Sequence, residues 1–176
     1  MSKYQIDTAH THAQFKVRHL MISNVKGDFD KVTGTVELDD ANPSASSINV
    51  TIDVASVSTR EPQRDAHLKS ADFFEVEKFP TITFVSKEVV KSGEDSYEVV
   101  GDLTIHGVTQ TIDLDVDEVT PEMKDPFGLF RRGATAKATI LRSDFGLKYN
   151  SVLDTGGVAI GDQVHITIDT EFTRPA

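Results

Sequence analysis

Strict alternation of apolar and polar residues recurs along most of this chain, and no other feature limits its fold so tightly. Ala13, Phe15, Val17 and His19 alternate with Gln14, Lys16 and Arg18, and Val32, Gly34, Val36 and Leu38 with Thr33, Thr35 and Glu37. Ile48, Val50, Ile52 and Val54 alternate with Asn49, Thr51 and Asp53. The pattern returns at Ile82 and Phe84, from Tyr97 to Ile105, at Ile112, Leu114 and Val116, from Ala134 to Ile140, and at Val164, Ile166 and Ile168. Successive side chains of a strand point to opposite faces, so each such segment buries one face and wets the other, as antiparallel sheets allow. The count is about eight strands. Turn formers separate them at residues 39–44, 91–96 and 121–128, and His106-Gly107 divides two strands so closely that a tight hairpin is expected. Eight strands with no long unpaired edge predict an all-β fold, a single antiparallel up-and-down barrel over residues 1–176. Its interior either fills with side chains or holds a ligand, and periodicity leaves both open.

One stretch breaks the rhythm. Ser58-Thr59-Arg60-Glu61 fits a capping box with Pro62 just inside a helix start, so a short helical excursion is expected near residues 61–74, carrying Ala66, Leu68, Phe73 and Phe74. Inserted between two strands, it is placed to cover a barrel mouth.

Composition narrows the function. The chain has 176 residues and a formal charge of −10, with 28 acidic against 18 basic residues. Nucleic acids and anionic surfaces are bound through lysine and arginine, so nucleic-acid binding and stable attachment to an anionic surface are disfavoured, although a small local basic pocket is not. Ten phenylalanines and no tryptophan give aromatic bulk without a polar handle. The absence of cysteine removes disulfides, thiolate catalysis and Cys-based zinc sites. The longest apolar runs are three residues, Leu20-Met21-Ile22 and Val158-Ala159-Ile160, too short for an integral membrane segment. Met1 to Asp7 holds no apolar stretch of the leader type. The expectation is therefore a cytoplasmic protein, or a periplasmic or secreted one if a leader has been removed.

Six histidines invite a catalytic or metal reading. His10 and His12, two apart, would share a face of an extended strand, but no further spacing completes a ligand set, so no metal site is expected. Neither H-E-x-x-H nor G-x-S-x-G occurs, and no glycine cluster forms a phosphate loop. The densest basic group runs from Arg60 to Lys69, where Arg64-Asp65 and Glu61 either neutralise one another or leave an arginine for a carboxylate or phosphate. Arg131, Arg132 and Arg142-Ser143-Asp144 form a second charged zone of structural character.

A family resemblance joins these pieces. Asp7-Thr8-Ala9-His10-Thr11, Phe15-Lys16-Val17-Arg18-His19-Leu20 and Val25-Lys26-Gly27-Asp28-Phe29 resemble the opening of the YceI-like family of polyisoprenoid-binding proteins. Ser56-Val57-Ser58-Thr59, Arg64-Asp65-Ala66-His67-Leu68, Asp72-Phe73-Phe74 and Phe79-Pro80-Thr81-Ile82-Thr83-Phe84 continue the likeness. So do the segments from Gly101 to Thr109 and from Arg142 to Leu147. The resemblance implies an extended lipocalin-like barrel with an elongated tunnel for an isoprenoid chain, an isoprenoid quinone or a fatty-acyl amide. It also implies no cofactor beyond such a lipid, no catalysis, and a homodimer as one arrangement of the family.

On the alternating apolar face, the expected tunnel wall is Phe15, Val17, Val36, Ile52, Phe84, Leu103, Ile105, Leu114, Ile140 and Ile166. Head-group candidates are Arg64 and His67, with Arg60 and Arg142 outside them. The leading expectation is a non-catalytic carrier or store for an apolar ligand. Two rivals stand beside it. One is an enzyme on an isoprenoid or acyl substrate with His19, His67 or His106 as general base; the other is a filled barrel serving as an interaction module.

Overall fold

The computed structural model describes residues 1–176. Twelve β segments join in one antiparallel sheet that closes on itself. Three pairs of segments are single strands interrupted by a kink, and with that continuity eight staves form the barrel wall. These are β1 (Ser2–Ile6, continued as His12–His19), β2 (Ser23–Phe29, continued as Val32–Leu38), β3 (Ser47–Asp53, continued as Val57–Ser58) and β4 (Thr81–Lys91). β5 (Tyr97–Ile105), β6 (Val108–Asp117), β7 (Leu129–Leu141) and β8 (Ile160–Pro175) complete it. Every stave pairs with its neighbour in sequence, and β8 closes the ring against β1 through Phe15↔Ile166, Val17↔Val164 and Ile6↔Phe172. A short strand, Met123–Lys124, lies outside the ring against β7.

The kinks correct the sequence reading, in which Ser2–Ile6 and Ser23–Phe29 carried no strand. At the first kink the Asp7 side chain accepts from the Ala9 backbone N–H and starts a 3-10 turn at Thr8–His10. His10 therefore sits in that turn and not on a strand face with His12. The expected hairpin is present: His106 (φ 53°) and Gly107 (φ 72°) both adopt the left-handed conformation that a two-residue hairpin loop needs.

The wall is not uniform. β7 and β8 pair along thirteen residues, Leu129↔Pro175 to Leu141↔Gln163, whereas β6 and β7 pair only at Asp115–Asp117 with Thr135–Lys137. Beyond that seam the two strands separate. A 3-10 turn at Arg142–Phe145 fills the gap, tied by the Gln110 side-chain amide donating to the Asp144 carbonyl.

Helix α1 (Pro62–Lys69) lies between β3 and β4 at one end of the barrel. Its start differs from expectation. The N-cap is Glu61, whose carboxylate accepts from the Arg64 backbone N–H at 2.7 Å, and not Ser58. The helix also stops sooner than expected: Ser70 closes it by donating from its hydroxyl to the His67 carbonyl, and residues 70–79 run through turns.

Candidate functional site: a hollow apolar barrel

Only 24 of 176 residues are buried, and the main buried cluster has 14 apolar members surrounded by many half-exposed aliphatic residues. These half-exposed side chains face inward. Phe15, Val17, Ile52, Leu114, Val164 and Ile166 keep accessible surface because they border a cavity of about 520 Å³ running up the barrel interior. Its lining comprises 46 residues, 37 of them hydrophobic. All ten residues named above as a wall line this one space. The volume falls within the 300–1,000 Å³ range of small-molecule sites.

Two glycines explain why the lumen stays open. A Cβ on Gly27 would lie 2.2 Å from the Phe15 ring, and one on Gly101 would lie 2.4 Å from the Phe84 ring. Each ring therefore rests against bare backbone of the neighbouring stave, so two large aromatics coat the wall without crossing the lumen.

The end opposite α1 is shut. Tyr4 and Phe172 meet edge to face at 5.2 Å with Val36 beside them, and all three are buried. Arg132, paired across the sheet with Phe172 and so on the same inner face, is buried beside them. It donates to both Asp40 carboxylate oxygens and to the Thr120 carbonyl. Over this floor, Arg174 donates twice to Glu122, and the Tyr4 hydroxyl donates a third bond. Those bonds hold the Glu122 carboxyl below the usual carboxylate range. On the outer wall nearby, Arg131 binds Asp7, Glu171 and Asp125, and its bond to Asp7 lowers that carboxyl too. Asp7, His10 and Glu171 come close enough to hold a cation, but the Arg131 guanidinium already neutralises both carboxylates.

The other end is the mouth. Phe74, from the turns after α1, packs edge to face on Phe29, which packs on Phe15, so an aromatic line runs from cap to wall. His67, Phe73 and Tyr149 form a second group with ring centroids 4.9 to 5.1 Å apart. All three line the cavity; Tyr149 comes from the β7–β8 connection, where no periodicity marked it.

The four head-group candidates do not converge. Arg64 reaches the cavity lining, but its guanidinium also donates to the Thr59 hydroxyl and carbonyl, while Asp65 accepts from the Thr59 N–H and hydroxyl. Arg64 and Asp65 thus grip buried Thr59 and do not neutralise each other, one of the two readings the sequence left open. His67 lines the mouth with Nε2 2.8 Å from Asp72. Arg142 is buried at the cavity edge and donates to the carbonyls of Leu147, Ile160 and Gly161, clasping the β7–β8 connection; desolvation pushes its pKa down. Arg60, in a left-handed conformation (φ 64°), is exposed and is not part of the lining. Of the candidate bases, His19 and His67 border the cavity, whereas His106 lies outside it against Phe79, 3.5 Å from Glu75.

A closed antiparallel barrel with an apolar lumen, one sealed end and one helix-covered mouth belongs to the lipocalin-like class of folds. Within that class the assignment is specific: a family model for the YceI-like domain matches residues 4–172, and the chain belongs to that family. A UPF0312 protein of Staphylococcus aureus is 39% identical over 175 residues, covering 98% of both chains. One from Pectobacterium atrosepticum is 41% identical over 148 residues, 83% of this chain and 76% of its own. Among solved structures, Burkholderia cenocepacia BcnA superposes with a TM-score of 0.82 at 25% identity, covering 94% of this chain and 98% of its own. A polyisoprenoid-binding domain from Saccharophagus degradans shares the fold, with a TM-score of 0.71 at 18% identity over 98% of each chain. No helix is long and apolar enough to cross a membrane.

Proposed function

We propose that the protein binds one long apolar chain in this lumen without chemical change, for transport or storage, the ligand being a polyisoprenoid, an isoprenoid quinone or a fatty-acyl amide. The observation that carries the reading is the hollow itself: about 520 Å³ enclosed almost wholly by hydrocarbon. At the scale on which core cavities destabilise proteins, a void of that size forfeits on the order of 10 kcal/mol of packing. An occupant restores those contacts. Each buried methylene contributes roughly 0.8 kcal/mol, so one five-carbon isoprenoid unit gains about 4 kcal/mol before chain ordering is subtracted. The shared fold with a domain described as polyisoprenoid-binding supports the same ligand class. Arg64 and His67 are the groups we retain for the polar head, because both border the mouth; Arg60 faces solvent and Arg142 is engaged with carbonyls.

Organic extraction and native mass spectrometry of protein purified from cells test the proposal. A co-purifying prenyl or acyl compound at one per chain is expected. Protein that carries none, and takes up neither prenyl nor acyl compounds when offered, overturns it.

A further inference from the structure

The mouth carries an apolar tip that the cavity does not use. The β1–β2 loop, Leu20 to Ile22 between the paired His19 and Ser23, places Leu20 (φ 50°) and Met21 (φ 62°) in the left-handed region, which Asn and Gly favour and bulky side chains rarely adopt. Met21 and Ile22 are 59% and 75% exposed, and none of Leu20, Met21 and Ile22 lines the cavity. A second turn stands against this one. The Leu20 N–H donates to the Ala159 carbonyl, the Met21 sulfur rests where a Gly157 Cβ would be, and Val152, 84% exposed, bridges to Val158.

The tip is also locally cationic. Lys16 and Lys26 stand directly opposite each other on the outer face of the hairpin, with His165 next to Lys16 on the other side. Like charges so placed repel, and neither lysine has a carboxylate partner. Arg18 braces the turn by donating to the Met21 carbonyl. Residues 12–29 carry three cationic side chains against the single carboxylate Asp28, in a chain of charge −10. Two choices that weaken the hairpin by itself, left-handed bulky residues and facing lysines, therefore coincide where apolar side chains meet water beside the mouth.

We infer that this tip docks on a bilayer containing anionic phospholipid, with Leu20, Met21, Ile22 and Val152 entering the headgroup boundary and Lys16, Lys26 and Arg18 meeting the phosphates, so that the mouth opens onto the membrane. The inference rests on the lipid-carrier reading above for its purpose, but not for its geometry. The orientation follows from the placement of the apolar side chains, because Leu20, Met21, Ile22 and Val152 all project at this end of the barrel.

Sedimentation with vesicles of phosphatidylcholine, with and without phosphatidylglycerol, tests the docking. Binding to the phosphatidylglycerol vesicles that weakens with salt is expected. Two variants sharpen it. Leu20→Asn with Met21→Gly installs residues that favour the left-handed conformation and removes the apolar tip, and Lys16→Glu turns the lysine repulsion into an attraction. Both should unfold no earlier than the native chain, yet bind vesicles about tenfold more weakly. Uptake of an apolar fluorescent probe without vesicles should be unchanged. No sedimentation with either vesicle, or equal sedimentation of native and variant chains, overturns the docking. Vesicle binding without probe uptake overturns the carrier reading and leaves the docking standing.

Discussion

The two ends of this barrel are built on opposite rules. At the floor, Tyr4, Phe172 and Arg132 come from strands far apart in sequence, and every polar group inside has a partner: the Tyr4 hydroxyl on Glu122, the Arg132 guanidinium on Asp40 and Thr120. At the mouth the aromatics sit on an eight-residue helix and long connections, and the polar side chains brace their own loops, Arg64 on Thr59 and Arg142 on the β7–β8 connection. A floor of satisfied polar groups and packed rings is stiff. A mouth covered by an eight-residue helix with no buried residue opens at small cost in free energy. The carrier role proposed above requires that asymmetry.

Truncation should expose the difference most strongly. Tyr4→Ala removes a fully packed ring and is expected to destabilise the fold by about 3–5 kcal/mol in denaturant unfolding. Ile166→Ala on the wall removes a side chain half facing the lumen and should cost about 1 kcal/mol in the ligand-free protein. Equal losses at the two sites would mean that the lumen is packed in solution. Filling the lumen gives the converse experiment. In a solid core Ala→Phe strains the packing by about 1–3 kcal/mol. Ala136, which borders the cavity, should accept phenylalanine with an unfolding midpoint unchanged or raised, while ligand uptake is lost.

Acid should act next, and on the floor. The carboxyls of Glu122 and Asp7 are lowered in the folded protein by Arg174 with Tyr4 and by Arg131. A carboxyl whose folded pKa lies below its unfolded value stabilises the fold fully above the ordinary range near pH 4, and that contribution is lost as pH falls through the folded value. Glu122→Gln should therefore unfold more readily than the native chain at neutral pH and converge with it in acid. A stability difference that stays constant down to strongly acidic pH would show that the Arg174–Glu122 pair does not hold the floor.

The same division decides what could be read from the sequence. The wall is local information: a period of two assigns Leu103 and Ile105 to the inside whatever the strand pairs with, and the His106-Gly107 turn sets the β5–β6 register. The floor is non-local. Nothing near Tyr4 indicates that Phe172 and Glu122 will meet it. Kinks hid two half-strands, because Ser2–Ile6 is short and Val25, Gly27 and Phe29 place a glycine at an inward position. At the mouth, charge misled. Arg142 is visible as a cation, but its partners are backbone carbonyls, which every residue has and no sequence marks. Ser58 and Glu61 both suit a helix start, and the choice of Glu61 is settled by Thr59 being drawn to Arg64 and Asp65. Tyr149 stands in an aperiodic connection and gave no signal at all.

Tyr149 offers the smallest and most selective probe of the mouth. Its ring closes the group with His67 and Phe73, yet it is 39% exposed and stands at the rim, outside the buried core. Tyr149→Ala should lower the unfolding free energy by about 1 kcal/mol or less, because its contacts are confined to the rim. It should accelerate release of a bound apolar probe several-fold in stopped-flow displacement, because a partial barrier to exit has been removed while the wall contacts that hold the chain remain. Unchanged release from Tyr149→Ala, together with faster release from a floor variant such as Arg132→Ala, would place the exit at the wrong end of the barrel and reverse the roles given to its two ends.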